Sequence, residues 1–357
     1  MIKMNTPEDK IRIREENDRL NQEERALQKE ILESFPINVL LPTGTKCNNR
    51  CIFCTDRSSQ ASYHYSDLSY QKWVNLCEPL EYATSLGLYG WGEPLLNPDY
   101  EKMFDHVVEN FPGIEITIST NGILMNGKWN QKFLSGHKLI INVSLSASNA
   151  KTYKLLSQND QFDRIIENIR SLIELRKKEN KNSPEVVLSF VAIKENIMEL
   201  PDFVRLASSL GVDKVVVQDL ILLDPGLRKH SLTPYAELAK SIFLVALKTA
   251  RELGVLLLPF VPVYFLPMDS DTFEENEKLE RKKSAELCLE PWIYLRVSSE
   301  GGIKLCCYSD EVMGSLYKNK LADIWNGEKF RYYRSRANTP DPPEECKKCP
   351  KKVGMTL

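Results

Sequence analysis

The sequence lacks a surplus of charge: 47 Lys and Arg stand against 49 Asp and Glu. That balance gives no electrostatic footing for nucleic acid or an anionic membrane, which select strongly basic surfaces. It also lacks a membrane-length apolar run. The longest, VLLLPFVPVYFLPM from Val255, has 14 residues and is broken by three prolines. A helical span needs about 20 apolar residues without such breaks. An apolar N-terminus is lacking too, since residues 1–35 hold 16 charged side chains. The expectation is no secretory signal and a cytoplasmic location, with neither nucleic acid nor membrane as partner.

Cysteine, by contrast, is plentiful. A chain read as cytosolic rarely keeps disulfides, yet this one has nine cysteines. Eight fall in two groups, Cys47, Cys51 and Cys54, then Cys288, Cys306, Cys307, Cys346 and Cys349. Only Cys77 stands alone, inside a helical pattern, and reads as a small buried hydrophobe. Clustered thiols in a reducing compartment point to metal or cluster ligation. CNNRCIFC, residues 47–54, has the spacing C-x3-C-x2-C. Soft thiolates suit iron–sulfur clusters, and three of them leave one corner of a four-iron cube free. Zinc is the competing reading; it needs a fourth ligand, and His64 is the nearest.

At 357 residues with 42% hydrophobic side chains, the chain can build one large α/β domain and a small appendage. Residues 1–35 read as a charged helical extension with a narrow apolar stripe, Ile13, Leu20, Leu27 and Ile31. From residue 36 strands alternate with amphipathic helices. Strands are expected at 37–42, 84–90, 114–120, 138–147, 185–193 and 213–220. Helices are expected at 68–79, 100–111, 128–134, 162–178 and 198–210. That alternation implies a parallel sheet. Residues 221–268 add a helix over 234–253 and a further strand. Residues 269–286 carry 11 charges in 18 positions and read as a solvated linker. From 287 to 357 the pattern is a β-hairpin over about 294–308, a helical segment over 322–335 and a final C-x2-C.

The loop CNNRCIFC, the run GWGEP at 90–94 and STNG at 119–122 together resemble the radical SAM superfamily. The resemblance implies an α/β fold: a partial (β/α)6 TIM-like barrel over 36–268, with the site at the strand C-terminal ends. It implies a [4Fe–4S] cluster on Cys47, Cys51 and Cys54 that binds S-adenosylmethionine and cleaves it to a 5′-deoxyadenosyl radical. Phe53 would pack near the adenine. A strand-end carbonyl at Gly92 and the Glu93 carboxylate would hold the methionine ammonium; Trp91 departs from the family pattern. Ser144 or Ser146 would reach the ribose or the carboxylate, and Val191 and Gln218 the adenine. C-x2-P-W, a hairpin ending in C-C, I-W-N-G and the last C-x2-C resemble the SPASM/twitch extension. This small cysteine-rich hairpin/helix domain implies an auxiliary [4Fe–4S] cluster on Cys288, Cys306, Cys346 and Cys349. Cys306 is preferred over Cys307 because neighbouring strand side chains face opposite ways. With four candidate ligands, one auxiliary cluster is expected.

The implied activity is hydrogen abstraction from a substrate, an oxidoreductase fed by a flavodoxin- or ferredoxin-type electron donor. The substrate is expected to be a sugar- or cyclitol-like small molecule, because 36 residues before the first strand are too few for a peptide-binding domain. A ribosomally made peptide is the alternative, and a non-catalytic iron–sulfur or zinc protein a third. Asp219, Tyr63 and Tyr308 are polar groups at the expected barrel mouth, with no acid or base assigned among them.

Overall fold

The computed structural model describes residues 6–54, 66–135, 137–222, 224–260, 287–347 and 349. The expected linker 269–286, Tyr63 and His64 lie outside the described residues. Among the described residues ten strands follow in chain order: β1 (Asn38–Leu41), β2 (Ser85–Leu88), β3 (Glu115–Thr120), β4 (Leu139–Ser144), β5 (Glu185–Ala192), β6 (Lys214–Asp219), β7 (Leu256–Phe260), β8 (Tyr294–Val297), β9 (Gly302–Lys304) and β10 (Val312–Ser315). Helices join β2 to β3, β3 to β4, β4 to β5, β5 to β6 and β6 to β7. This is the alternation of the expected α/β partial barrel, with one parallel strand more than the six units. Among the described residues no helix is long and apolar enough to cross a membrane.

The chain divides into two compact units, one of 1–46, 66–118 and 280–353, the other of 47–65, 119–279 and 354–357. In the first, β1, β2 and β3 run parallel, with Asn38 opposite Ser85 and Ser85 opposite Glu115. β8 joins the other edge of β1, also parallel, with Asn38 opposite Tyr294. β9 and β10 then extend the sheet antiparallel, giving the order β10-β9-β8-β1-β2-β3. The hairpin was legible in the sequence, its pairing onto β1 was not, and β10 was missed.

The N-terminal helix α1 (Pro7–Ala26) corrects the expected apolar stripe. Thr6 caps it by accepting the Asp9 N–H at 3.2 Å, and Pro7 suits its first turn. The helix ends before Leu27 and Ile31, which are 71% and 59% exposed. Its buried side chains are polar instead: Arg14, Asn17, Asn21 and Glu24. They face mainly backbone. Arg14 donates to the carbonyls of Leu80 and Pro112 at 3.1 and 2.6 Å. Asn17 donates to Phe35 and Tyr82 and accepts the Phe35 N–H at 2.8 Å. Asn21 donates to the Trp292 carbonyl at 2.7 Å, and Glu24 accepts N–H groups from Glu33 and Ser34. Buried polar groups survive only when paired, and here loop backbone supplies the partners. The expected helix over 68–79 is also corrected. It breaks into one α-turn, Tyr70–Trp73, and two 3-10 turns, Val74–Leu76 and Glu78–Glu81. Pro79 has no N–H for an α-helical bond and forces the break.

In the second unit β4, β5, β6 and β7 are parallel neighbours in that order. The helices over them are amphipathic in the ordinary sense. Phe162–Lys178 buries Ile165, Ile169, Leu172 and Ile173, and Leu200–Leu210 buries Phe203, Val204 and Ala207. A helix the sequence reading did not separate, Ala150–Ser157, follows β4.

Candidate functional site

The cysteine loop begins six residues after β1, where a parallel strand ends and its loop opens. In the second unit its frame is that unforeseen helix, Ala150–Ser157. A helix leaves its last carbonyls unpaired. Here the loop supplies the donors: Arg50 N–H to Ser157 O and Ile52 N–H to Leu156 O, both 2.9 Å. Side-chain amides complete the frame. Asn159 donates to the Asn48 carbonyl at 3.0 Å and to Asn49 Oδ1 at 2.8 Å. Asn49 donates to the Tyr153 hydroxyl at 3.2 Å, and Asn121 to Asn48 Oδ1 at 2.6 Å. Burial, with the Cys51 and Cys47 thiols nearby, raises the Tyr153 phenol.

Within that frame Cys47, Cys51 and Cys54 form no disulfide and are half-exposed. The Asn49 N–H points at Cys47 Sγ from 3.5 Å, the contact that steadies a thiolate carrying negative charge. The Cys54 N–H closes a turn onto the Cys51 carbonyl at 3.2 Å. Among the described residues no group of three or more His, Cys, Asp or Glu is gathered as a site for a metal ion. A cube asks for something else, one thiolate per corner, and three soft donors on one hydrogen-bonded loop fit that demand. Phe53 sits half-exposed between the last two of them.

In the first unit the GWGEP turn follows β2. The Glu93 N–H donates to the Lys46 carbonyl at 2.7 Å, one residue before Cys47 in the chain. A side chain at Gly92 would stand 2.2 Å from that same carbonyl, so only glycine permits the approach. Asn97 holds the neighbouring segment by donating to the carbonyls of Thr43 and Leu68. The Glu93 carboxylate is 4% exposed and accepts the Leu95 N–H at 3.2 Å. Trp91 is exposed, with the Arg296 guanidinium 4.9 Å from its ring centre.

The remaining strand ends lie in the second unit. In STNG, Gly122 takes φ 79° and the Ile123 N–H bonds Asn121 Oδ1, the expected tight turn. Sequence reasoning missed that Asn121 also ties this turn to the cysteine loop. Ser144 ends β4 half-buried. Ser146 is buried at φ 56°; its hydroxyl accepts the Val191 N–H at 3.1 Å and its carbonyl accepts Asn196. The Val191 carbonyl also accepts Asn196, at 2.9 Å. Gln218 is exposed on β6. Burial pushes the Asp219 carboxyl up to about 6, against the Leu220 N–H that it accepts.

The second cysteine group belongs to the first unit. Cys288 and Asn338 clasp each other, Cys288 N–H to Asn338 Oδ1 at 2.8 Å and Asn338 Nδ2 to the Cys288 carbonyl at 3.1 Å. Cys306 and Cys307 stand in a turn beyond β9 rather than on the strand, so strand alternation does not decide between them. Burial pushes the Cys306 thiol up to about 11, whereas Cys307 is exposed, 3.7 Å from the Tyr294 hydroxyl. The Cys349 N–H closes onto the Cys346 carbonyl at 3.3 Å. The Tyr333 hydroxyl, 2.8 Å from Glu311 and 2.9 Å from Glu345, ties this C-terminal turn to the helix Glu328–Arg336. Cys77 is buried with its thiol on the Trp73 carbonyl at 3.8 Å, and burial raises it.

With this geometry in view, the comparisons with known proteins are informative. The radical SAM superfamily model matches residues 41–207, and the SPASM model, an iron–sulfur cluster-binding domain, matches residues 288–350. The tungsten-containing aldehyde ferredoxin oxidoreductase cofactor-modifying protein of Pyrococcus furiosus is 24% identical over 308 residues, 82% of each chain. The probable GTP 3′,8-cyclase of Sulfurisphaera tokodaii is 27% identical over 272 residues, 74% of this chain and 79% of that one. Streptococcus suis SuiB bound to S-adenosylmethionine superposes with a TM-score of 0.67 at 17% identity, covering 94% of this chain and 75% of its own. SuiB bound to precursor peptide SuiA gives 0.65 at 16% identity, covering 88% and 70%. The chain therefore carries a radical SAM domain followed by a C-terminal SPASM domain, with a [4Fe–4S] cluster, S-adenosylmethionine and an auxiliary iron–sulfur cluster as the cofactors.

Proposed function

We propose that this enzyme abstracts a hydrogen atom from a ribosomally made peptide and completes a net oxidation of it. One observation carries the cofactor half of the reading: three half-exposed thiols on a loop whose backbone is fixed by a helix end and a set of asparagine amides. Cys47, Cys51 and Cys54 would hold the first cluster and leave its fourth corner to S-adenosylmethionine. When bound, that cluster supplies the single electron that splits the sulfonium and gives the 5′-deoxyadenosyl radical.

The chain's own residues place the cofactor. Gly92 and the buried Glu93 would receive the methionine ammonium by charge-assisted hydrogen bonds. Ser144, still partly exposed, is the better candidate for the ribose or carboxylate, because the Ser146 hydroxyl is engaged with Val191. Phe53, Val191 and Gln218 would border the adenine. Cys288, Cys306, Cys346 and Cys349 would hold the auxiliary cluster as a one-electron acceptor, with a flavodoxin or ferredoxin feeding the first.

For the substrate, the likeness of nearly the whole chain to peptide-bound SuiB supports a peptide. The cofactor-modifying and GTP-cyclising relatives support a small molecule, so the sugar or cyclitol reading stands second. The test is anaerobic turnover of reduced enzyme with size-fractionated host extract. A peptide fraction that raises 5′-deoxyadenosine above background, with one parent ion losing two hydrogens, supports the proposal. Stimulation only by the smallest metabolites would replace the peptide with the second reading.

A further inference from the structure

Arg296 lies on β8, opposite Leu40 of β1, and is 7% exposed. A buried guanidinium normally finds several acceptors for its five donors. This one has a single hydrogen bond among the described residues, Nη1 to the Cys307 carbonyl, at a long 3.4 Å. No described carboxylate lies within salt-bridge distance. The nearest charged neighbour on the chain segment beyond β9, Asp310, is 96% exposed on its side chain and engaged with Lys304 at 2.7 Å. Elsewhere in the unit, Arg14 and Arg334 each have an Nη2 sealed from solvent without an acceptor. The nitrogens of Arg296 are not sealed in that way, so Nε and Nη2 keep contact with solvent.

The group is nevertheless fixed. Its plane stands over the Trp91 ring at 4.9 Å, and Nη1 is tied to the turn that holds Cys306 and Cys307. The Nε and Nη2 edge of a guanidinium presents two parallel N–H donors, the geometry that receives both oxygens of a carboxylate or phosphate. Trp91, whose ring the guanidinium stands over, immediately precedes Gly92 in the chain. Its departure from the family pattern then has a purpose, a ring that braces the arginine.

We propose that Arg296, braced by Trp91, is a binding site for a carboxylate or phosphate oxyanion of the substrate. This rests on the functional reading above and narrows the substrate to one bearing such a group. The experiment is isothermal titration of the reconstituted protein with inorganic phosphate and, separately, with succinate. Arg296→Gln is expected to weaken both at least tenfold, and Arg296→Lys to weaken them less, since it keeps the charge and loses the fork. In the unaltered protein, phosphate is expected to shield Arg296 from phenylglyoxal, read by peptide mass spectrometry, so the result does not depend on the variants folding. Unchanged phosphate affinity in Arg296→Gln, or no shielding, overturns the site. An equal loss of S-adenosylmethionine affinity assigns the fork to the methionine carboxylate and overturns its assignment to substrate. Wild-type protein that binds phosphate at Arg296 yet releases no 5′-deoxyadenosine would fault the functional reading and leave the anion site standing.

Discussion

The two units solve the same problem, fixing a cysteine-bearing turn, by different means. The second unit buries apolar helix faces on parallel strands, and then uses one helix end and four asparagines to hold Cys47–Cys54. The first unit holds its cysteines by reaching across long sequence separations with polar side chains. Asn338 clasps Cys288 over 50 residues, and Asn21 bonds the Trp292 carbonyl over 271. Side-chain amides reach across long separations in both, 111 residues from Asn159 to Asn48, and the second unit adds a helix end. The candidate ligands of both groups are half-exposed, so it is the framing of the turns and not their burial that differs.

The largest expected contrast is chemical. Cys51→Ala should abolish reductive cleavage of S-adenosylmethionine and remove about four of roughly eight irons. Cys349→Ala should lose a similar amount of iron, keep cleavage, and stop coupled turnover. Iron content with 5′-deoxyadenosine yield separates them, and identical behaviour of the two variants would erase the division of labour between the units.

Next come packing changes of about 3 kcal/mol. Ile169→Ala opens a cavity under the second unit's helix. Gly92→Ala drives a methyl into the Lys46 carbonyl, where the first unit has no room to give. Chemical denaturation should show both losses, but only Gly92→Ala should also weaken S-adenosylmethionine binding. If Gly92→Ala binds normally, the close approach of that turn is not a requirement of the site.

How much of this could be read in advance follows the same division. The parallel strands, the helix Phe162–Lys178 and both cysteine groups were legible, because apolar period and ligand spacing are local signals. The N-terminal helix was legible as a helix, yet its buried face was mistaken. A stripe of Arg14, Asn17, Asn21 and Glu24 looks solvated unless one knows which carbonyls wait opposite. The clamp on the cysteine loop was missed for the same reason. Asn159 and Asn121 gain meaning only when folding brings them to Asn48 and Asn49. A run of asparagines around a cysteine motif, NN at 48–49, was the one available hint.

That stripe gives a smaller and sharper test. Asn21→Ala leaves the Trp292 carbonyl and the Ser34 hydroxyl without their donor, a cost of about 2 kcal/mol. Ile13→Ala, on the stripe expected from sequence, should change stability by no more than about 0.5 kcal/mol. Urea midpoints decide it. A reversed order would mean that the apolar side of the helix, not its polar side, anchors it.

An effect of similar size belongs to the second unit and depends on pH. Asp219 has its carboxyl raised from 3.8 to about 6 by burial. A raised carboxyl pKa means that the folded state prefers the proton. Below about pH 3 folded and unfolded chains are both protonated there, and the residue is neutral in its effect. Between about 4 and 6 the unfolded chain ionises first, so stability falls as pH rises, and above 6 the whole penalty is present. At 1.36 kcal/mol per pKa unit, reduced for partial contact with solvent, the penalty is about 2 kcal/mol. Asp219→Asn keeps an oxygen for the Leu220 N–H and removes the charge. It should therefore be more stable than the parent at pH 7 and nearly indistinguishable from it at about pH 3, by thermal melts at matched ionic strength. A gain of the same size at both values would trace to packing instead, and Asp219 would lose its standing as the one carboxyl among the unit's described residues raised toward neutral pH.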